Sequence, residues 1–144
     1  MENKKKTVYY VCFYADPEFS DDITSYPSVW SKIDYVSDTL KRIGYNVCYV
    51  CPVIPRKGRF KKRVIRKDEQ ETHIYFSAFS KRKSKALVKL NNFLQMLQIL
   101  AYLLVNTKSD DRILIYHSMY HCFWAPALKK IFRKKYILQI EDVY

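Results

Sequence analysis

Four short runs of β-branched and aromatic residues alternate with helical patterns along this chain: Thr7–Tyr14 (TVYYVCFY), Tyr45–Cys51 (YNVCYVC), Arg112–Tyr116 (RILIY) and Tyr136–Ile140 (YILQI). Continuous apolar runs of this length suit strands buried on both faces. Between the first two, Ser28 stands where it can cap a helix from about Val29 to Ile43. Trp30, Ile33, Tyr35, Val36, Leu40 and Ile43 recur there at helical spacing. Gly44 follows, where a left-handed residue commonly closes a helix. Strand, helix and strand in this order form a right-handed βαβ unit. The prediction is therefore an α/β fold, a Rossmann-like three-layer domain with a mostly parallel sheet and an inserted β-hairpin.

The hairpin is expected after Pro52. Its strands fall near Arg59–Arg66 and Thr72–Phe76, around the polar tip Asp68-Glu69-Gln70-Glu71, at an edge of the sheet or beyond it. Ser84 to Val105 is the longest helical pattern. Asn91, Gln95, Gln98 and Tyr102 make one thin polar stripe, expected to face outward while the apolar remainder packs on the sheet. A bilayer span needs about 20 apolar residues; this run is shorter and carries amides, so a sheet-covering helix is expected instead. A last helix is expected from about Tyr120 to Arg133, with Pro126 in its first turns.

A length of 144 residues suits one domain, 1–144, and 49% hydrophobic residues exclude a disordered chain. The net charge of +12 predicts attraction to polyanions or to an anionic membrane face. Cys12, Cys48, Cys51 and Cys122 lie in apolar runs. Cys48 and Cys51 form a C-x-x-C, but residues three apart on a strand point to opposite faces, so buried thiols in a reducing cytoplasm are expected. Met1–Lys6 and the short β-rich run after it do not have the pattern of a secretory signal.

Open parallel sheets hold ligands beyond the carboxyl ends of their strands. His117 and Ser118 follow the third apolar run and Glu141 and Asp142 follow the fourth. A carboxylate at such a rim orients a hydroxyl or acts as a base, and without outside information a solvated strand end explains the same residues equally well. Tyr14 and Asp16, with Glu18, Asp21 and Asp22 behind them, leave the first strand toward the same rim or form a plain surface loop. His117 and His121 are four apart but have no third ligand in register, so no metal is expected. The glycine fingerprint of dinucleotide binding, the Walker A loop and G-x-S-x-G are all missing, which argues against an NAD enzyme, an NTPase or an α/β-hydrolase.

The densest basic run, RKGRFKKRVIRK, supplies Arg56, Lys57, Arg59, Lys61, Lys62 and Arg63 as candidate membrane or polyanion contacts. Phe60 is the only ring among them, so a base-stacking platform is poorly provided for and nucleic acid is the less favoured partner. Two alternatives remain open: a small basic nucleic-acid-binding module and a non-catalytic flavodoxin-like interaction domain.

The segment Ser31-Lys-Ile-Asp-Tyr-Val-Ser-Asp-Thr-Leu-Lys-Arg-Ile-Gly-Tyr-Asn-Val resembles the opening of bacterial family 4-like glycosyltransferases of GT-B fold. Arg112-Ile-Leu-Ile-Tyr-His-Ser and Lys135-Tyr-Ile-Leu-Gln-Ile-Glu-Asp-Val-Tyr resemble later parts of the same N-terminal domain, in order. The resemblance implies an acceptor-side domain of a retaining transferase that moves a sugar from a nucleotide-sugar donor to a glycan or lipid-linked acceptor in polysaccharide biosynthesis. Carried over by position, His117 lies near the transferred sugar and Glu141 and Asp142 at the cleft wall, with Tyr14, Asp16 and Ser118 on the substrate side. No cofactor is implied beyond that donor. The first loop departs from the family in lacking glycines. The chain is expected to lack a C-terminal donor-binding domain, to depend on a separate one for activity, and to sit in the cytoplasm at the inner membrane face.

Overall fold

The computed structural model describes residues 6–19, 21–24, 27–79, 84–116, 125–130 and 133–139. The fold is mixed α/β, built on a mostly parallel six-stranded sheet. Strand β1 (Thr7–Val11) leads through a short 3-10 turn at Pro17–Phe19 to helix α1 (Pro27–Arg42) and strand β2 (Asn46–Cys51). Four short strands follow: β3 (Arg59–Phe60), β4 (Arg63–Arg66), β5 (Glu71–Tyr75) and β6 (Ala78–Phe79). Helix α2 (Lys85–Asn106), β7 (Arg112–Tyr116), α3 (Ala125–Lys130) and β8 (Tyr136–Gln139) complete the order.

The large sheet runs β4-β5-β2-β1-β7-β8, with β3 and β6 paired separately. β1 is parallel to β2 and β7, β2 to β5, and β7 to β8. The four apolar runs therefore lie side by side in one direction, as their composition suggested. The chain moves one way from β1 to β2 and back from β5 to β7. Right-handed crossovers then require the two linking helices on opposite faces, and the core divides accordingly. Ile33 of α1 packs with Tyr10, Cys12, Tyr49, Cys51 and Tyr75. Ile99 and Leu103 of α2 pack with Val11, Cys48, Val50, Ile74, Ile113 and Ile115.

Helix α1 begins two residues earlier than its spacing suggested, because Pro27 has the backbone angle of a first helical residue and needs no amide there. Its other end closes as a Schellman motif: the Tyr45 N–H reaches the Leu40 carbonyl and the Gly44 N–H reaches that of Lys41, with Gly44 at φ 92°. A Cβ at Gly44 would meet nothing within 4 Å. Gly44→Ala therefore strains only the backbone and is expected to cost about 1 kcal/mol, lowering the melting temperature by about 3 °C, with Gly44→Asn milder in the same thermal melt.

Two expectations need correction. The hairpin exists, with β4 as a charged edge antiparallel to β5, but its second strand starts at Glu71 and lies inside the sheet, parallel to β2 from Val47↔Glu71 to Cys51↔Tyr75. Non-local pairing converts part of the polar tip into strand. The second correction is larger: the polar stripe of α2 faces the sheet, not solvent. Gln95 Oε1 accepts from the Val53 N–H (2.7 Å) and its Nε2 donates to the Val53 carbonyl (2.9 Å). Gln98 pairs in the same two-bond way with Ser77, and Asn91 Oδ1 accepts from the Phe79 N–H. The Tyr102 hydroxyl reaches Cys48 Sγ. Gln95 and Gln98 serve main-chain groups just past β2 and β5, outside any strand, and Asn91 serves the Phe79 N–H in β6. The apolar side is left outside, with Leu90 48%, Phe93 53% and Leu97 47% exposed.

The thiols of Cys12, Cys48 and Cys51 are free and buried. Cys48 and Cys51 belong to opposite core halves, so they form no redox pair across one face.

Candidate functional site

The carboxyl ends of β1, β2 and β5 lie at one rim because the three strands are parallel. An antiparallel bridge between Ile23 and Pro55 ties the loop after β1 to the loop after β2. The Thr24 N–H reaches the Ile54 carbonyl, and the Arg56 N–H reaches that of Asp22. This junction brings the basic segment to the rim. A cleft of about 430 Å³ is lined by Asp22, Lys57, Arg59, Phe60, Lys61, Lys62 and Arg63. Five of the six basic residues singled out in the sequence thus line one concavity, and Arg56 is exposed beside it.

Aromatic faces hold two of these cations. The Arg63 guanidinium lies 4.9 Å from the Phe19 ring centre and 5.5 Å from that of Phe60. The Lys62 ammonium lies over Phe76 and Tyr102. Such contacts fix long side chains without cancelling their charge. Phe60 itself is 5% exposed, so it offers no open ring to a stacked base.

Tyr14 and Asp16 leave β1 at this rim but are engaged within the fold. Asp16 is buried: one carboxylate oxygen accepts from the Glu18 N–H and the other pairs with Lys67 at 2.5 Å. Burial alone would raise its pKa; Lys67 and the Glu18 amide outweigh burial and hold the carboxyl below its ordinary value. The Asp16 N–H donates to the Tyr75 hydroxyl. The Tyr14 hydroxyl is pushed up by burial, with the Asp34 carboxylate hydrogen-bonded beside it. His117, Ser118, Glu141 and Asp142 lie outside the described residues, as does His121.

Beneath the rim runs a line of hydrogen-bonded polar side chains whose centre, Glu71 and His73, the sequence did not single out. His73 Nε2 is 2.7 Å from Glu71 Oε1, and its Nδ1 is 3.4 Å from the Tyr75 hydroxyl and 4.0 Å from Asp16 Oδ2. The second Glu71 oxygen pairs with Lys41 of α1. Lys41, Glu71, His73, Asp16 and Lys67 therefore form one connected line from α1 through β5 to the exit of β1. Tyr49 and Tyr14 pack edge-on against the imidazole, at 4.4 and 5.3 Å between ring centres. This line positions the exit of β1 rather than presenting a free proton donor to solvent. Its signal in the sequence was the alternation Glu71, His73, Tyr75, which puts all three on one face of a strand.

At the opposite end, a cleft of about 700 Å³ is lined by Arg112, Lys129, Arg133, Lys134, Lys135, Tyr136 and Ile137. It lies at the amino ends of β7 and β8, away from the carboxyl rim. Among the described residues no three His, Cys, Asp or Glu side chains gather in a way that could hold a metal ion. No protein-family model, curated protein or solved structure matches the chain, so a functional assignment rests on the residues themselves.

Proposed function

We propose that this chain is the acceptor-side domain of a GT-B glycosyltransferase, Rossmann-like in its three-layer winding. In this reading it holds a glycan or lipid-linked acceptor while a separate donor-binding domain presents a nucleotide sugar. The observation that carries the proposal is the order of the parallel strands, β5-β2-β1-β7-β8, with its change of direction at β1. Doubly wound sheets bind ligands at that switch point, beyond the carboxyl ends of the strands. The tied loops and the cationic cleft stand at the same end, and the cleft suits the phosphates of a lipid-linked glycan. Under this assignment His117 and Ser118, which follow β7 in the sequence, and Glu141 and Asp142, which follow β8 after Ile140, are the residues assigned to the acceptor. One of the carboxylates orients its attacking hydroxyl. The protein then works in the cytoplasm at the inner face of the membrane.

Titration of the chain with a pyrophosphate-linked oligosaccharide, followed by heteronuclear NMR, tests the assignment. Saturable binding is expected, with shifts at Arg59, Lys61 and Arg63. The triple variant Lys57→Glu, Lys61→Glu, Arg63→Glu is expected to weaken it at least tenfold, roughly 0.5 kcal/mol or more for each cation lost. Equal or tighter binding of an oligonucleotide with the same charge would transfer the cleft to nucleic acid. No binding of the oligosaccharide would remove the transferase reading.

A further inference from the structure

The outer side of α2 is an apolar ridge. Leu90, Phe93, Leu94, Leu97, Ala101 and Val105 are all exposed and follow one helical stripe. The ridge is about 22 Å long at 1.5 Å per residue. The inward amides explain why it lies outside: they fasten the helix to Val53, Ser77 and Phe79 by its polar side. No Asp or Glu occurs anywhere in α2.

Cations frame this ridge. Lys85 and Lys89 are exposed in its first turns. On the edge strand β4, Val64 pairs with Ile74 and Arg66 with Thr72. Ile74 belongs to the core half under α2, so Val64 and Arg66 are on the α2 side of the sheet, and both are exposed. Lys62 reaches the ring of Tyr102 on α2 itself. Beside the ridge a groove of about 390 Å³ is lined by Arg59, Ser77, Phe79, Asn91, Leu94 and Gln98, among others. Asn91 is 1% exposed, and its Nδ2 is a donor without a hydrogen-bond partner.

We propose that this surface docks on an anionic phospholipid leaflet. The ridge enters the boundary between headgroups and acyl chains, as interfacial helices do. Lys62, Arg66, Lys85 and Lys89 meet lipid phosphates, and the groove receives one phosphate against Arg59 and the free Asn91 N–H. Charge selects this occupant. A second copy would bring two chains of net charge +12 together, whereas an anionic leaflet complements them. A transmembrane path is opposed by the amides bonded to the sheet. The proposal is separate from the acceptor assignment, since vesicles of pure phospholipid contain no glycan.

Flotation with vesicles of phosphatidylcholine, alone or with about one-third phosphatidylglycerol, tests it at low and high salt. Binding to the anionic vesicles is expected to exceed binding to the neutral ones by at least roughly tenfold at low salt and to fall, without vanishing, at high salt. The double variant Leu94→Glu, Leu97→Glu changes only exposed positions. It is expected to keep the far-UV spectrum and to lose at least about tenfold in binding at both salt levels. Lys85→Glu with Lys89→Glu is expected to lose a similar factor at low salt only. In Leu97→Trp, anionic vesicles alone are expected to shift the added emission to the blue, a readout that needs no disruptive change. Equal binding to both vesicle types, no binding to the anionic ones, or undiminished binding by the Leu94/Leu97 variant would overturn the proposal. So would a dimer in vesicle-free solution that the same variant dissolves, which would assign the ridge to a second copy.

Discussion

Gln95→Leu is expected to lower the melting temperature by about 10 °C, while Leu97→Gln, two residues along the same helix, changes it by no more than about 2 °C. Ordinary helix patterning would reverse that order, since leucine normally points inward and glutamine outward. Gln95 is buried and satisfies both main-chain groups of Val53, just past the end of β2. Leucine fills the space but leaves a buried N–H and a buried carbonyl unpaired. Each such orphan costs about 1–3 kcal/mol, so the pair together approaches about 3–4 kcal/mol. In a chain of this length about 1 kcal/mol moves the midpoint by roughly 3 °C. Leu97 is already in solvent, where a polar replacement falls within about 0.5 kcal/mol. Circular dichroism melts of the two variants decide the matter. A tolerated Gln95→Leu with a costly Leu97→Gln would mean that α2 packs the other way round.

Glu71→Gln is expected to cost about 2 kcal/mol at pH 7 and almost nothing near pH 2. His73 holds the Glu71 carboxyl down by hydrogen bonding; burial acts in the opposite sense, and Lys41 adds to the depression, leaving the pKa at about 2 against an ordinary 4.5. The folded value lies below the unfolded one, so between them the unfolded chain binds more protons. Stability from this group is fully present above about pH 4.5 and is lost as the pH falls toward 2. The full shift would convert to about 3.4 kcal/mol; solvent reaching the partly open side chain reduces that to about 2 kcal/mol. Melting curves of the native chain and the variant should therefore converge on acidification. Parallel curves from pH 7 to 2 would show that the Lys41–Glu71–His73 line contributes no linkage.

The strands were legible because burial on both faces leaves a signature that survives without knowledge of neighbours: TVYYV, NVCYVC and RILIY are apolar at every position but their ends. Helix α1 was legible to within two residues because Pro27, Gly44 and the spacing of its apolar positions act locally. The orientation of α2 was not. Periodicity divides a helix into two faces, but which face turns inward depends on what waits beneath it. Here the surface beneath carries main-chain groups of Val53, Ser77 and Phe79 that α2 must satisfy, a demand created by two distant segments. The position of β5 was hidden for the same reason: its register against β2 spans more than twenty residues, and Glu71 looked like part of a turn. The basic run could be read as a charge cluster but not as a cleft, because the Ile23–Pro55 bridge that ties the preceding loops together joins two segments of unremarkable composition.

The three sulfhydryls enclosed in the two core halves have a practical meaning for anyone handling this molecule. Burial pushes the Cys48 thiol up to about 12 and raises that of Cys12 as well, so the reactive thiolate is scarce even where a reagent penetrates. Alkylation of these three must wait for an opening. Cys12 and Cys51 then report on the α1 side and Cys48 on the α2 side. Nature has thus distributed a pair of clocks, one per layer, that time which half of the sheet uncovers first.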